Sequence, residues 1–584
     1  MKGGRPDDGI AGGQPSGLPV PAPDVRDRRK AGSLGGRSEM SGFLSLAGHF
    51  WSSLERRGDR PALWTRRDGP WVTRTWLDIA ADVERLAQAL RSLGVEPGDR
   101  VVQIAENRYE WVITDLALLT IGAIHVPVHS TLSGEQMAYQ IEHCGARCIL
   151  ISTDELAGKV ESSVPAAMND IPWIAYEATR ARIAGRAPFD WDDLLRDAPR
   201  VAIARHEARP SDVATILYTS GTTGEPKGVM LTQENLVSNV LGVLEVMPQS
   251  PDDMRLGFLP LSHIYARTCD LYTWLVAGTV FAMAESRFTF ERDAAETRPT
   301  MLNAVPYYYD RLMRDAIESS SADGPASVLG RLGGRVRAFC GGGAALPEHV
   351  FDFFASQGTP VLMGYGLTES SPVISVSSPD HYRRGAAGRV LPGIEVRATD
   401  EGELITRGPH VMAGYYRDDE STRRAIVDGW LRTGDLGRVD DDGFVWITGR
   451  KKELIVTLAG KNVAPVLLES LLTEDPLIHQ AMIVGDGRKY LAALIVADQD
   501  RLAEHLAAAG LEPSHDAERS VLGERIAARL ARLGAHEQVR RFTIVETPFS
   551  IEAGELTPKL SLRRDSIVDR YADRIERLYS EEPP

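Results

Sequence analysis

Positive charge is what this chain is short of: 66 Lys and Arg against 81 Asp and Glu leave a formal net charge of −15 over 584 residues. That balance argues against nucleic-acid binding as the main task, which draws on an excess of cations. An anionic substrate needs positive charge concentrated locally, so lysines and arginines inside motifs carry more information than their number suggests. Cysteine is scarce too, and Cys144, Cys148, Cys269 and Cys340 form no CxxC pair. This speaks against a disulfide frame or a zinc site and for free thiols in a reducing cytoplasm. Long apolar runs are missing. The most apolar window, Trp111 to Val128, is interrupted by Asp115 and His125 and reads as a buried helix running into a strand, not a transmembrane segment. Peripheral contact with a membrane surface is left open. Residues 1–39 have neither an apolar h-region nor periodicity and read as a disordered leader, with Met40 the true start or the leader dispensable.

The length calls for two or more domains, and 43% hydrophobic with 25% charged residues is the composition of a soluble globular protein. Ile79, Val83, Leu86, Leu90 and Leu93 recur at helical spacing, followed by the strand-like RVVQIA, the Trp111 window, a further helix and CILIS. Strands alternating with helices predict a mostly parallel sheet covered on both faces, with ligands at the carboxyl ends of the strands. The stretch YTSGTTGEPKGVMLT (218–232) follows an apolar strand and precedes a helical stripe of Leu236, Val237, Val240, Leu241 and Leu244. It reads as a loop whose glycines turn N–H groups inward while Thr, Ser and Lys227 add hydroxyls and charge, the parts needed to grip a polyphosphate. Its spacing is not that of a Walker loop.

That stretch resembles the signature of the AMP-forming adenylating enzymes, a superfamily of acyl- and aryl-CoA ligases, luciferase and peptide-synthetase adenylation domains. Further segments match the family in order: FLPLSHIYARTCDLY (258–272), AFCGGGAALP (338–347), MGYGLTESSP (363–372), DGWLRTGDLG (428–437) and GRKKELIV (449–456). LPLSHIYART, with AVPYYYDRLM (304–313), is most similar to the bacterial long-chain fatty acyl-CoA synthetases. The resemblance implies an α/β fold, with a large N-terminal domain of layered α/β subdomains with mostly parallel sheets (40–449), a hinge at 450–452 turning about Lys452, and a small mobile C-terminal α+β domain (453–584).

The resemblance also implies roles. Thr219, Ser220, Gly221, Thr222, Thr223, Gly224 and Lys227 would hold the ATP phosphates, and Thr368 would bond one of them. Gly341, Gly342 and Gly343 would admit the flat adenine beside Tyr365 and Gly366, Asp435 with its neighbour Arg450 would take the ribose hydroxyls, and Glu369 would hold Mg2+. His263 would line the acyl carboxylate pocket, and Gly460, Lys461 and Asn462 the CoA channel. GELITRGPHVMAGYYR (402–417) looks like a structural hairpin without chemistry. The last motif departs from the pattern: ELTPKLSLRR (555–564) has Ser561 where the family has its lysine, and Lys559 stands two residues earlier. In an extended segment these share one face about 6.6 Å apart, so Lys559 is taken as the functional equivalent.

The expected reaction is ATP-dependent activation of a medium- to long-chain fatty acid to acyl-AMP with loss of pyrophosphate, then transfer to CoA. ATP, Mg2+ and CoA are the implied cofactors, and Lys227, Thr368, Glu369 and Lys559 the catalytic set. Two alternatives stand beside it. One is an acyl-AMP ligase loading a separate carrier protein, since no carrier domain follows the small domain. The other is a catalytically impaired homologue acting as a ligand sensor. The expected location is the cytoplasm, with the inner face of the membrane as a second setting, and nothing in the sequence fixes the oligomeric state.

Overall fold

The computed structural model describes residues 43–164, 170–181, 187–199, 201–219, 225–319, 327–550, 553–556 and 562–580. The expected alternation of helix and strand is present. The helix Trp76–Ser92 begins at a Thr75–Asp78 capping box and buries Ile79, Val83, Leu86 and Leu90. Strand Arg100–Ile104, helix Tyr109–Ile121, strand Ile124–Val128, helix Gly134–Cys144 and strand Cys148–Ile151 follow. The Trp111 window is thus a buried helix leading into a strand, and among the described residues no helix is long and apolar enough to cross a membrane. All four cysteines are free and buried.

Two large sheets organise the chain. In the eight-stranded one, Val213–Thr219, Ile124–Val128, Arg100–Ile104 and Cys148–Ile151 lie side by side in parallel. The nine-stranded sheet sets Val361–Gly366, Ala338–Gly341, Met301–Ala304, Met254–Gly257 and Val280–Met283 in parallel, with antiparallel strands at its margins. Side chains tie the carboxyl ends of the two sheets together. Asn107, just past the first sheet's central strand, donates to Leu259 O at 2.8 Å and accepts from Leu261 N at 2.8 Å. A fully buried ionic cluster adds a second tie: Arg267 pairs with Asp115 and donates to Thr215 Oγ1 at 2.8 Å, and His125 Nδ1 lies 2.7 Å from Asp115 Oδ1.

An antiparallel sheet containing Glu395–Ala398, Glu403–Arg407, Trp430–Val439 and Val445–Arg450 comes next. Beyond it, residues from Ile455 to Leu578 form cores of their own around the three-stranded sheet Ile478–Val484, Leu491–Ala497 and Val539–Ile544. AMIVGDGRKYLAALIV (481–496), which reads in the sequence as strand, Gly-Asp-Gly turn and strand, takes that form within an α+β unit.

Four local expectations are corrected. Residues 227–232 are not loop: Lys227–Thr232 is a strand that returns antiparallel along Val213–Thr219, because alternate apolar residues Val229 and Leu231 reach the core. GELITRGPHVMAGYYR is not a hairpin: Glu403–Arg407 pairs within the antiparallel sheet, whereas Gly414–Tyr415 pairs with Lys227–Thr232 in the eight-stranded one. TGDLG (433–437) reads in the sequence as a tight turn presenting Asp435, yet Asp435 lies within the strand Trp430–Val439. Val568, Tyr571, Ile575 and Leu578 read in the sequence as one helical stripe, yet Val568 is exposed and Ile567 takes its buried place, since the helix breaks at Tyr571.

Candidate active site

The glycine- and threonine-rich segment follows the carboxyl end of strand Val213–Thr219, and Lys227 is paired opposite Thr219. Ser220, Gly221, Thr222, Thr223 and Gly224 lie outside the described residues. Thr232 ends the returning strand and starts the helix Gln233–Val246 through a capping box, its hydroxyl accepting from Asn235 N at 3.2 Å. Such a cap contributes about 1 kcal/mol and fixes where the strand stops. The Lys227 ammonium donates to Ser421 Oγ, lies 3.7 Å from Asp418 Oδ2 and stands 5.2 Å from the centre of the Tyr415 ring. The Ser421 backbone and hydroxyl bonds, with Lys227 beyond them, hold the Asp418 carboxyl below its ordinary range.

At the carboxyl ends of the second sheet the glycines serve different purposes. A Cβ on Gly341 would meet Met363 Sδ at 2.6 Å, so that glycine lets neighbouring strands pack. Gly342 faces the Tyr265 ring, and Gly343, with φ +84°, is the one of the three with no heavy atom within 4 Å of an added Cβ. Gly366 is required by close approach, because a Cβ there would fall 1.7 Å from Pro372 O.

Tyr365, Asp435 and Arg450 meet although the sequence separates them widely. The Tyr365 hydroxyl donates to Asp435 Oδ2 at 2.7 Å, and Arg450 Nε lies 2.9 Å from Asp435 Oδ1. Strand pairing sets Asp435 opposite Arg450, which is why the ion pair forms. Burial pushes the Asp435 carboxyl up, and the Arg450 charge offsets part of the rise. A carboxylate anchored on one side by a phenol and on the other by a guanidinium is a rigid acceptor for hydroxyl donors.

Thr368 and Glu369 form one 3₁₀ turn, Thr368–Ser370, closed by Ser370 Oγ accepting from Leu367 N at 3.0 Å. Among the described residues Glu369 makes no ion pair, and its Oε1 accepts from the Tyr415 hydroxyl at 2.9 Å. No group of three His, Cys, Asp or Glu suited to a metal occurs among the described residues. A lone carboxylate without a cationic partner fits a hard ion such as Mg2+, which takes one or two protein oxygens and completes its shell from phosphate and water.

His263 stands at the N-cap of the helical run from Ile264, beyond the carboxyl end of Met254–Gly257. Its ring lies 4.0 Å from that of His129, which directly follows strand Ile124–Val128 and whose Nδ1 is 2.6 Å from Ser262 Oγ. His129 escaped the sequence reading; the available signal was a histidine at the carboxyl end of a buried parallel strand. Downstream, Lys452 falls in the 3₁₀ turn Lys451–Glu453 after strand Val445–Arg450. Gly460 and Lys461 occupy the tip of the small hairpin Ile455–Val456 with Asn462–Val463, where Gly460 has φ +69°. All three residues, Asn462 included, are exposed, and among the described residues no hydrogen bond joins them to Tyr365, Glu369 or Asp435. Lys559 and Ser561 lie outside the described residues.

Comparison with known proteins follows this geometry. A family model described as AMP-binding enzyme matches residues 50–416, and one described as AMP-binding enzyme C-terminal domain matches 452–583. The long-chain-fatty-acid–CoA ligase FadD15 of Mycobacterium bovis is 34% identical over 572 residues, covering 88% of this chain and 94% of that protein. The long-chain-fatty-acid–CoA ligase ACSBG1 of Rattus norvegicus is 28% identical, covering 91% and 85%. Among solved structures, ATP-bound MatB from Rhodopseudomonas palustris superposes with a TM-score of 0.75 at 24% identity, covering 91% of this chain and 99% of that one. The adenylation domain of a carboxylate reductase from Mycobacterium chelonae gives 0.77 at 24%, covering 93% and 92%. At that identity the two structures establish the fold, an α/β architecture with a large N-terminal and a small C-terminal part. Matched along both its larger and its smaller part, the chain belongs to the AMP-binding enzyme family.

Proposed function

We propose that the chain is an ATP-dependent fatty acid–CoA ligase that forms AMP. The observation that carries this is the likeness to a long-chain-fatty-acid–CoA ligase across 94% of that protein's length. The site supports it, because Tyr365, Asp435 and Arg450 make a hydroxyl-binding corner and Glu369, bonded by the Tyr415 hydroxyl, has no ion-pair partner among the described residues. In the first step a carboxylate oxygen of the acid attacks the α-phosphorus, the bond to the β-phosphate breaks and pyrophosphate leaves. In the second the CoA sulfur attacks the acyl carbon of the mixed anhydride and AMP departs.

The barrier in the first step is electrostatic. Two like charges 4 Å apart repel by about 4 kcal/mol at an effective dielectric of 20. Lys227, within reach of the segment after Thr219, and Lys559 from the small domain are assigned to offset it, with Thr368 bonding a phosphate oxygen. Glu369 would hold Mg2+, which neutralises charge on the phosphate oxygens. Lys452 is assigned as the pivot for the small domain, Gly460 to Asn462 as the wall of the CoA channel, and His263 with His129 as the floor beside the acyl carboxylate. A medium- to long-chain acid is the proposed substrate and the cytoplasm the proposed location. Hydroxylamine trapping over acetate, C8 to C18 acids and a cinnamate-like acid, with CoA thioester formation in parallel, is the test. Trapped adenylate and thioester for the longer acids are expected; an absence of both with every acid would overturn the reading.

A further inference from the structure

GELITRGPHVMAGYYR (402–417), to which the sequence assigned no chemistry, touches both charged groups of the proposed phosphate site through Tyr415. Tyr415 donates its hydroxyl to Glu369 Oε1 at 2.9 Å, while its ring stands 5.2 Å from the Lys227 ammonium. Its backbone is pinned from several directions. Gly414 and Tyr415 pair with Met230 and Val229 on the strand that begins at Lys227, Tyr415 N donates to Thr422 Oγ1 at 2.8 Å, and Met412 N donates to Glu369 O at 2.9 Å.

We infer that Tyr415 is a positioning residue: it fixes the Glu369 carboxylate by occupying Oε1, leaves Oε2 for a divalent cation, and seats Lys227 on the same ring. This rests on the reading that Glu369 holds Mg2+. The physical reason is that a carboxylate alone rotates about its last torsion, and Mg2+ demands a nearly fixed octahedral direction from each protein oxygen. A donor on the far oxygen removes that freedom before the metal arrives, and losing such a supporting bond typically costs 10- to 100-fold in metal affinity.

The experiment measures ATP binding to the full chain by calorimetry while Mg2+ is varied, with melting temperature recorded for each variant. The variants are Tyr415→Phe, Glu369→Gln and Tyr416→Phe, the last because Tyr416 points its hydroxyl at Cys144 O, 3.3 Å away, on the other side of the strand. Tyr415→Phe keeps the ring under Lys227 and removes only the donor. It is expected to raise the half-saturating Mg2+ concentration about tenfold, with ATP affinity in the absence of Mg2+ and the melting temperature unchanged and Tyr416→Phe within twofold of the parent. A Tyr415→Phe midpoint within twofold of the parent, while Glu369→Gln shifts it, overturns the inference and leaves the proposed function standing. A midpoint that Glu369→Gln also fails to move overturns it through its premise. An absence of ATP binding by the parent chain overturns the proposed function itself.

Discussion

Asp115→Asn is expected to be the most damaging single-atom-scale change in the molecule. Asp115, His125 and Arg267 are all fully buried, and Arg267 bonds both Asp115 and Thr215 from inside the helical run that follows His263. Burial lowers His125 to about 4, the Arg267 charge adding to it, so the imidazole is neutral and Asp115 alone balances the guanidinium. Replacing that carboxylate leaves an uncompensated buried charge, a loss of about 3 to 5 kcal/mol. Removing both charges in Arg267→Met with Asp115→Leu leaves Thr215, His125 and Tyr272, whose hydroxyl donates to Asp115 Oδ1 at 3.4 Å, short of a partner, about 1 to 3 kcal/mol each. Arg267→Met alone and Asp115→Leu alone each strand one buried charge, so the double variant is expected to lose about 2 kcal/mol less than the sum of those two singles. Urea unfolding followed by tryptophan fluorescence reads this, with Trp111, 5.1 Å from His125 and 5.5 Å from Arg267, as the reporter beside the cluster among the chain's 10 tryptophans. Strict additivity of the two singles would refute the reasoning, since it would mean that the two charges do not compensate one another.

Acidification from pH 6.5 to 5.5 is expected to lower stability. His125 and His410 are each held down to about 4, so the unfolded chain binds protons there that the folded chain refuses; Asp270, raised to about 6 by burial, acts in the opposite direction. The balance is about one proton, worth about 1.4 kcal/mol per pH unit, and urea midpoints that stay level or rise would contradict it. Asp435→Asn should raise the KM for ATP roughly tenfold in ATP–pyrophosphate exchange, the loss typical of a charged hydrogen-bond acceptor, with the Tyr365 contact retained. Lys559→Ala should slow acyl-adenylate formation about 10² to 10³-fold, and Ser561→Lys in that background should restore part of it; unchanged adenylate formation in Lys559→Ala would remove Lys559 from the catalytic set.

Motif order carried the reading of the proposed nucleotide corner. Tyr365, Asp435 and Arg450 each sit in a recognisable segment, and strand pairing brings them within hydrogen-bond distance. Periodicity carried the helix Trp76–Ser92 and the buried run around Asp115, because side-chain spacing is local. What escaped depends on tertiary neighbours. Lys227–Thr232 looks like loop because its glycine and lysine hide a strand whose pairing partner decides its state. Tyr415 was passed over since its partner, Glu369, lies 46 residues away in another sheet's margin. The three glycines from Gly341 share one appearance in sequence, yet Met363 constrains the first and nothing stands against the third.

The Asp435–Arg450 pair bears on where the chain is able to swivel. Arg450 is the final residue of its strand, and the turn Lys451–Glu453 begins one peptide later. A rotation starting upstream of Arg450 would tear a guanidinium from a carboxylate that is only 2% exposed. One starting downstream leaves that grip untouched. For the proposed pivot at Lys452, the pair is a clamp that opposes a turn begun earlier in the chain and leaves the proposed nucleotide corner undisturbed by one begun later.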